Sequence, residues 1–281
     1  MATAPPRYHV YAAEAEALSG DLTLPLAQEV KPPTFVKLNE RGGYLSQHVE
    51  NYRLGGAVSF RSAYTQVAGN PSDKAGHGWN TLTTSVIEGL NVLDIVTADR
   101  IVCQISTDHP LIGYVPAVTF LGTRYENLRI AGHTLKVDLD LNMLGDKPKN
   151  DGSYTSSRDF IKRISAQRDR IQSQKNLPSE ISTRYNRLPA ITPKQEKIEC
   201  SLVNQTEGGF TGRCFGNAID VPHFGKIYLA TVTLEQSGFN TPTGAPRDTT
   251  IALTMIEMAM GCVGGGSLLG GGGKTNGGTQ P

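Results

Sequence analysis

The sequence has few residues of the kinds that staple small folds or bind metals in regular motifs. Four cysteines occur in 281 residues, which is too few for a disulfide framework, and none stands in a CxxC or Cys/His spacing typical of structural zinc. The six histidines form no HxH or HExxH motif, and no GxSxG nucleophile elbow is present. These absences predict a protein that is not an enzyme, with no catalytic, cofactor-binding or metal-binding residues and no cofactor.

The chain also lacks an excess of charge and any long apolar run. Lys and Arg number 27 against 26 Asp and Glu, a formal net charge of +1, which argues against nucleic acid or acidic lipid as a partner of the whole surface. No apolar run approaches the ~20 residues of a membrane-spanning helix. The first twenty residues lack the apolar core of a secretory signal. We therefore expect either a cytoplasmic protein, or an extracellular or cell-surface protein from which a leader was removed.

Period-two alternation is the main structural signal. In the run before Leu144, Leu135, Val137, Leu139 and Leu141 point one way while the residues between them are mostly charged, which is typical of a half-buried strand. Similar β-branched runs separated by turn residues extend from Trp79, and Gly132 predicts a tight hairpin turn. The sequence therefore predicts a mainly β fold, a β-sandwich or jelly-roll-like domain over residues 1–262, with a strand in place of a helix at residues 8–26.

Residues 146–197 differ in charge and in predicted structure. This segment holds twelve Lys and Arg against six Asp and Glu, a local charge of +6, so the other residues carry about −5. SSRDFIKRISAQRDRIQSQKN predicts the one helix, capped by Ser156 or Ser157 and ended near Asn176. We interpret the segment as a basic helical insertion, and we expect its arginines either to form a solvated helix face or to dock on the acidic remainder of another copy, rather than to contact phosphate. The candidate self-association residues are Arg163, Arg168, Arg170, Arg184 and Arg187.

Two features near the end of the chain carry further predictions. Residues 263–281 are glycine-rich and predict a flexible tail. Within it, GGGGKTNGG resembles a phosphate-binding loop, but the place where that motif needs its first glycine holds Leu268, and we reject this reading. Cys200 and Cys214 flank a glycine-bearing loop and could close a hairpin disulfide if the chain is oxidised. Cys103, in the middle of the strand RIVCQIST, is expected to be a buried free thiol.

One stretch carries a family resemblance. SVIEGLNVLDIVTADRIVCQIST is followed by TFLGTRYENLRIAGHTLKVDLDL, between Thr84 and Asp140. This succession of a strand pair and a hairpin resembles bacterial β-rich proteins of unknown function, broadly the choice-of-anchor P type of surface domain. The resemblance implies a β-rich surface or extracellular fold, and it carries over no site residue because its motifs describe packing and turns.

These observations favour a structural or self-associating β protein, such as a surface-layer, fibre or shell subunit whose partner is another copy of itself. The alternative is a β-sandwich module that binds carbohydrate or another ligand. Trp79, Tyr114 and Tyr125, with Asp99 and Asp108, are the residues that could serve such a site.

Overall fold

Two antiparallel sheets packed face to face make up most of the computed structural model, which describes residues 8–24, 27–186, 194–208, 212–261 and 265–280. The strands in these ranges are β1 (Tyr8–Leu24), β2 (Gln28–Val30), β3 (Phe35–Lys37), β4 (Gly43–Leu54), β5 (Val58–Pro71), β6 (His77–Val92), β7 (Val96–Pro110), β8 (Ala117–Thr119), β9 (Arg124–Glu126), β10 (Arg129–Ile130), β11 (His133–Thr134), β12 (Lys136–Leu139), β13 (Lys197–Ser201), β14 (Val203–Glu207), β15 (Arg213–Phe215), β16 (Ala218–Val221), β17 (Gly225–Ser237), β18 (Asp248–Met260) and β19 (Gly265–Gln280). The helices are α1 (Arg158–Gln172) and α2 (Ser179–Arg184), with 3₁₀ turns at Lys149–Asp151 and Tyr154–Ser156.

Sheet A has the order β15-β16-β17-β18-β19-β1-β2, with β13 also paired to β17 and β3 to β1. Sheet B has the order β11-β10-β7-β6-β5-β4, with β8 and β9 also paired to β7. The strands β12 and β14 form a separate ribbon. The chain is therefore a mainly β, sandwich-like fold with one helical insertion, as the sequence predicts.

Alternating side chains build the core between the sheets. On β7, Cys103, Ile105, Thr107 and His109 are buried while the residues between them are partly exposed. The strands β1 and β19 of sheet A lie against β5, β6 and β7 of sheet B. The predicted strand at residues 8–26 is confirmed as β1, and the turn at Gly132 joins β10 to β11.

The prediction of a flexible glycine-rich tail was wrong. Residues 265–280 form β19, which pairs with β18 from Gly266 to Gly278 on one side and with β1 from Gly265 to Gln280 on the other. Its glycines permit close packing of the sheets: a Cβ added to Gly273 would lie 2.9 Å from Thr83 Cγ2 and 3.1 Å from Cys103 Sγ. The glycine-rich composition that predicted a flexible tail instead suits a strand that packs against large side chains of the other sheet.

The insertion contributes two helices rather than one. Ser157 caps α1 by accepting a hydrogen bond from the Phe160 amide, as predicted. The helix ends at Gln172, before the predicted end, and α2 follows. Ile171 of α1, Ile181 of α2 and Tyr185 pack with Phe215 and Tyr228 on the outer face of sheet A. Of the helices in the described ranges, none is long and apolar enough to cross a membrane.

Candidate functional site

The edge strand β4 is the most unusual surface of the sandwich. It pairs with β5 from Gly43↔Gly69 to Glu50↔Ser62 and, beyond Asn51 at φ +55°, from Tyr52↔Phe60 to Leu54↔Val58. In the described part of the chain no strand pairs with its other side. Nine of its twelve residues are exposed and none is buried. An edge strand presents a row of backbone N–H and C=O groups that a further strand can pair with.

Every other sheet edge in the described ranges is built from short strands. The strands at these edges are each two to five residues long. They are β13 and β16 beside β17, with β15 beyond β16; β2 and β3 beside β1; and β8, β9 and β10 beside β7, with β11 beyond β10. Short edge strands are one of the devices by which proteins prevent edge-to-edge pairing. Neither lysine nor proline, the residues that commonly protect a long edge, occurs in β4. This strand therefore differs from the other edges in both length and sequence.

The two faces of β4 carry different side chains. Leu45 and Val49 lie opposite Val67 and Ala63, which are buried, so both point toward the inner face of sheet B. Tyr44 points to the outer face and is 61% exposed, and Leu45 is 44% exposed. Apolar side chains on both faces would lose contact with water if a second strand docked here.

His48 and Glu50 share the outer face beyond Tyr44. His48 Nε2 lies 3.9 Å from Glu50 Oε1, and both side chains are more than half exposed. A polar contact this exposed adds little stability to the monomer. Both groups are therefore available to a neighbouring chain.

The arginines predicted to mediate self-association bind acceptors in their own chain. On α1, Arg163 donates to the Asn142 carbonyl oxygen, and Arg170 donates to the Asn204 carbonyl oxygen at 2.7 Å. Arg168 donates to the carbonyl oxygens of Asn186 at 2.7 Å and Glu199 at 3.1 Å, and burial lowers its pKa. Arg187 lies outside the described residues.

Arg184 is the most strongly held of this set. Its guanidinium forms ion pairs with Glu199 at 2.8 Å and Glu257 at 2.7 Å, and it lies 4.0 Å from the centroid of the Tyr228 ring. Burial disfavours the charged form, but the hydrogen bonds to Glu257 and Glu199 outweigh it and raise the pKa of Arg184. Arg184 therefore fixes α2 on β13 and β18 and presents little free charge to a partner.

Cys200 and Cys214 are both free thiols in the structure. Cys200 on β13 lies opposite Val232 of β17, whereas Cys214 on β15 is joined through Ile219 to Ile227 of the same strand. Val232 and Ile227 are five positions apart, roughly 17 Å at about 3.3 Å per residue. A disulfide requires Cα atoms within about 7 Å, so the candidate hairpin disulfide does not fit this register. Burial raises the pKa of Cys200 to about 12 and also raises that of Cys214.

The aromatic residues that could serve a carbohydrate site do not converge on one surface. The Trp79 ring stacks on His9, Tyr114 is 8% exposed, and the Tyr125 hydroxyl donates to the Met255 carbonyl oxygen. Asp108 is bound to His77, and Asp99 accepts a hydrogen bond from Asn127 at 3.0 Å. Over the described ranges, no group of three or more His, Cys, Asp or Glu side chains is arranged to hold a metal ion.

A groove of about 190 Å³ lies on the outer face of sheet A. Its floor includes Gly272, and Glu14, Glu16 and Phe35 line it. Lys37 forms an ion pair with Glu14 at 2.8 Å, and Ser19 donates to Glu16 at 3.0 Å. Because both carboxylates already have partners, the groove offers a ligand fewer free hydrogen-bonding groups than the backbone of the β4 edge does.

Sequence reasoning missed β4 as a site. The run from Tyr44 to Tyr52 indicates a strand, but the order of strands in a sheet cannot be read from local periodicity. One signal was available: GYLSQHVENYRL is a long run without proline or lysine. Such a run is compatible with a central strand, and only the topology shows that it lies at an edge.

Comparison with protein families gives a match over most of the chain. The family model described as a domain of unknown function, DUF8256, matches residues 9–235. Comparisons with curated proteins and with solved structures give no match.

Proposed function

Since the chain belongs to the DUF8256 family, whose function is unknown, we propose from its structure that it is a self-associating structural protein. The observation that carries the proposal is the twelve-residue edge strand β4, which is long and exposed where the other described edges are short. The partner is a second copy of the chain. A dimer through β4 is the first species expected, and a layer, fibre or shell would add further contacts to it.

Symmetry determines how two β4 strands would meet. Identical surfaces that face each other across a two-fold axis form an isologous contact. When that axis is perpendicular to the sheet, the two strands run antiparallel and each keeps its inner and outer faces. Two copies of sheet B then form one continuous sheet, and Leu45 and Val49 add apolar contact on its inner face.

Charge complementarity supports the same partner. If Val49 lies on the two-fold axis, His48 of each copy lies opposite Glu50 of the other, and no like charges oppose each other in the pairs next to the axis. When His48 is protonated these positions carry opposite charges, and such a directly opposed cross-strand pair stabilises a sheet by about 0.2–1 kcal/mol. Two such pairs would form across one interface.

The test is the mass of the purified full-length protein across a range of concentrations, by sedimentation velocity and light scattering. A monomer of 30.2 kDa at low concentration should give way to a dimer and larger species. Val49→Lys places a charge on the inner face of the edge and should reduce association at least tenfold, a penalty of about 1.4 kcal/mol. Wild-type protein that stays monomeric at every concentration and salt tested would contradict the proposal.

Two kinds of control separate the edge from general effects of substitution. Leu121→Lys adds the same charge at a loop side chain that is 69% exposed, and it should leave association unchanged. Ser46→Pro and Gln47→Pro each remove one backbone N–H, and successive N–H groups of a strand point in opposite directions. One of these two variants should therefore keep the β4–β5 pairing and still lose association.

The cell-surface location implied by the choice-of-anchor P resemblance stays a prediction. It would place such an assembly outside the cell. Immunogold labelling of intact cells with an antibody to the folded protein would test it independently of the oligomeric state.

A further inference from the structure

Two buried histidines face each other at one end of the sandwich. His9, at the start of β1, is 7% exposed and His109, at the end of β7, is 1% exposed. Their ring centroids are 4.4 Å apart. The Trp79 ring stacks on His9 at 5.2 Å, and the edge of the Tyr11 ring meets it at 4.7 Å. These contacts fix the pair between the two sheets.

The floor of the site is a glycine of β19. A Cβ added to Gly277 would lie 2.6 Å from His9 Nε2 and 2.9 Å from His109 Nε2. Both imidazoles therefore lie directly against the backbone of this strand. Four strands meet at the pair: β1 and β19 from sheet A, and β7 and β6, which carries Trp79, from sheet B.

The pair lacks the groups that would stabilise a positive charge. Within the part of the chain that the structure describes, none of the four ring nitrogens of His9 and His109 has a hydrogen-bond partner. The carboxylate of Asp108 is bound to His77. Asp108 points away from its neighbour His109 because successive side chains of a strand alternate in direction. The pair is thus unlike His77, which has a carboxylate beside it.

The other titratable groups near the pair do not replace the missing carboxylate. Lys147 raises the positive potential at His109, and the nearby Asp151 accepts hydrogen bonds from the amides of Tyr114 and Val115 at 2.8–2.9 Å. The Tyr11 hydroxyl is neutral at acidic and neutral pH, and burial raises its pKa further. Burial lowers the pKa of His9 to about 4, and burial together with His9 and Lys147 lowers that of His109 well below its ordinary value.

We propose that His9 and His109 form an acid-sensitive contact that holds the ends of β1 and β19 against sheet B at neutral pH and releases them when either ring is protonated. A proton on one ring would place a charge in a buried site beside a second imidazole and near Lys147. Separating the strand ends from β6 and β7 lets water solvate that charge. The centre of the sandwich, away from the pair, stays closed.

Amide hydrogen exchange of the full chain, followed by mass spectrometry and corrected for the intrinsic pH dependence, tests the proposal. Between pH 7 and about pH 4, peptides covering the start of β1, the end of β7 and the end of β19 should lose protection by about tenfold or more. Peptides from the centres of β17 and β18 should keep theirs over the same range.

A neutral variant supplies the matched comparison. The double variant H9L/H109L removes both titrating groups without breaking a hydrogen bond of the rings, and it should abolish the acid-dependent loss of protection. H133L, at an exposed histidine of β11, should lose protection exactly as the wild type does. Should the double variant fail to fold, NMR titration of the wild-type imidazoles replaces it, with ring protonation and loss of protection expected at the same pH.

Three results would overturn the proposal. One is unchanged protection at the ends of β1, β7 and β19 down to about pH 4. The second is acid loss that persists in the folded double variant. The third is protonation of either ring near pH 6.5, the ordinary histidine value, without any loss of protection.

Discussion

The compositions of β19 and β4 suggest the opposite of where the two strands lie, one at the centre and the other at the edge of its sheet. Half of the sixteen residues of β19 are glycine, yet it lies in the middle of sheet A, paired on both sides. The strand β4 has a single glycine and ordinary β-forming residues, yet it is an exposed edge. The difference shows that whether a strand lies at the centre or at the edge of its sheet depends here on the side chains that pack on it from the opposite sheet. Intrinsic propensity alone would favour a central place for β4 rather than for β19.

Close packing across the sandwich explains the glycines. Ile101, Cys103 and Ile105 of β7 face β19, and Gly271 and Gly273 leave the space that their side chains fill. Thr275 bonds to Thr81 at 2.8 Å, and Thr83 donates to the Lys274 carbonyl oxygen at 3.3 Å. These contacts offset the extra entropy that a glycine strand loses on folding, about 0.5–1 kcal/mol per residue relative to alanine.

The largest expected effect breaks this packing. Gly273→Val places its Cβ 2.9 Å from Thr83 Cγ2 and 3.1 Å from Cys103 Sγ, and adds two methyl groups to this contact. We expect a loss of about 3 kcal/mol or more in the free energy of unfolding, measured by urea denaturation. Gly272→Val is the control, since its Cβ faces the movable Glu16 side chain on the outer face and should destabilise much less. Equal losses in the two variants would show that close packing is not the reason for the glycines.

Acid should destabilise the packing of β19 near its C-terminal end, where His9 lies against Gly277. The pKa of His9 is about 4 in the folded protein and about 6.5 when unfolded. As pH falls below 6.5 the unfolded chain binds this proton first, so stability falls until about pH 4 and then levels off. The His9 contribution to this fall is about 3 kcal/mol, measured by urea denaturation at a series of pH values. A H9L variant with the same pH profile as the wild type would contradict the assignment to His9.

The part of sheet A that α2 covers should lose stability when its contacts are removed, unlike the exposed edge at β4. Arg184 ties α2 to Glu199 and Glu257, so Arg184→Ala leaves two half-buried carboxylates without their cation. We expect a loss of about 2 kcal/mol in the free energy of unfolding, and Arg184→Lys should restore only part of it because lysine lacks the planar fork. Arg170→Ala, which removes one contact to the Asn204 carbonyl oxygen, should cost about 1 kcal/mol or less. If R184A kept full stability and lost association instead, the arginine would belong to an interface.

The smallest effect on stability is expected at β4 itself. Glu50→Gln removes one charge from a side chain that is 66% exposed and should change the free energy of unfolding by less than about 0.5 kcal/mol. The same change removes both His48–Glu50 pairs of the proposed dimer, so the dissociation constant should rise a few-fold. Glu207→Gln, at an exposed residue of β14, should change neither quantity. Sedimentation equilibrium measures the constant, and an effect equal in the two variants would argue against the β4 register.

Local patterns predicted what local forces decide. The Ser157 cap of α1, the turn at Gly132 and the strand β1 are each set by neighbouring residues, and all three are confirmed. The place of β19 could not be predicted in this way, because its stability comes from side chains on β6 and β7 more than 150 positions earlier in the chain. The exposure of β4 also depends on topology, and so does the separation of Cys200 from Cys214.

Amide hydrogen exchange of the wild-type protein at low and high concentration tests the contrast between the two strands most directly. We predict that the amides of β19 are protected at both concentrations, because that strand is paired on both sides within one chain. About half of the β4 amides, those pointing away from β5, should exchange fast at low concentration and become protected at high concentration. Fast exchange throughout β19, or β4 protection that does not change with concentration, would contradict the account.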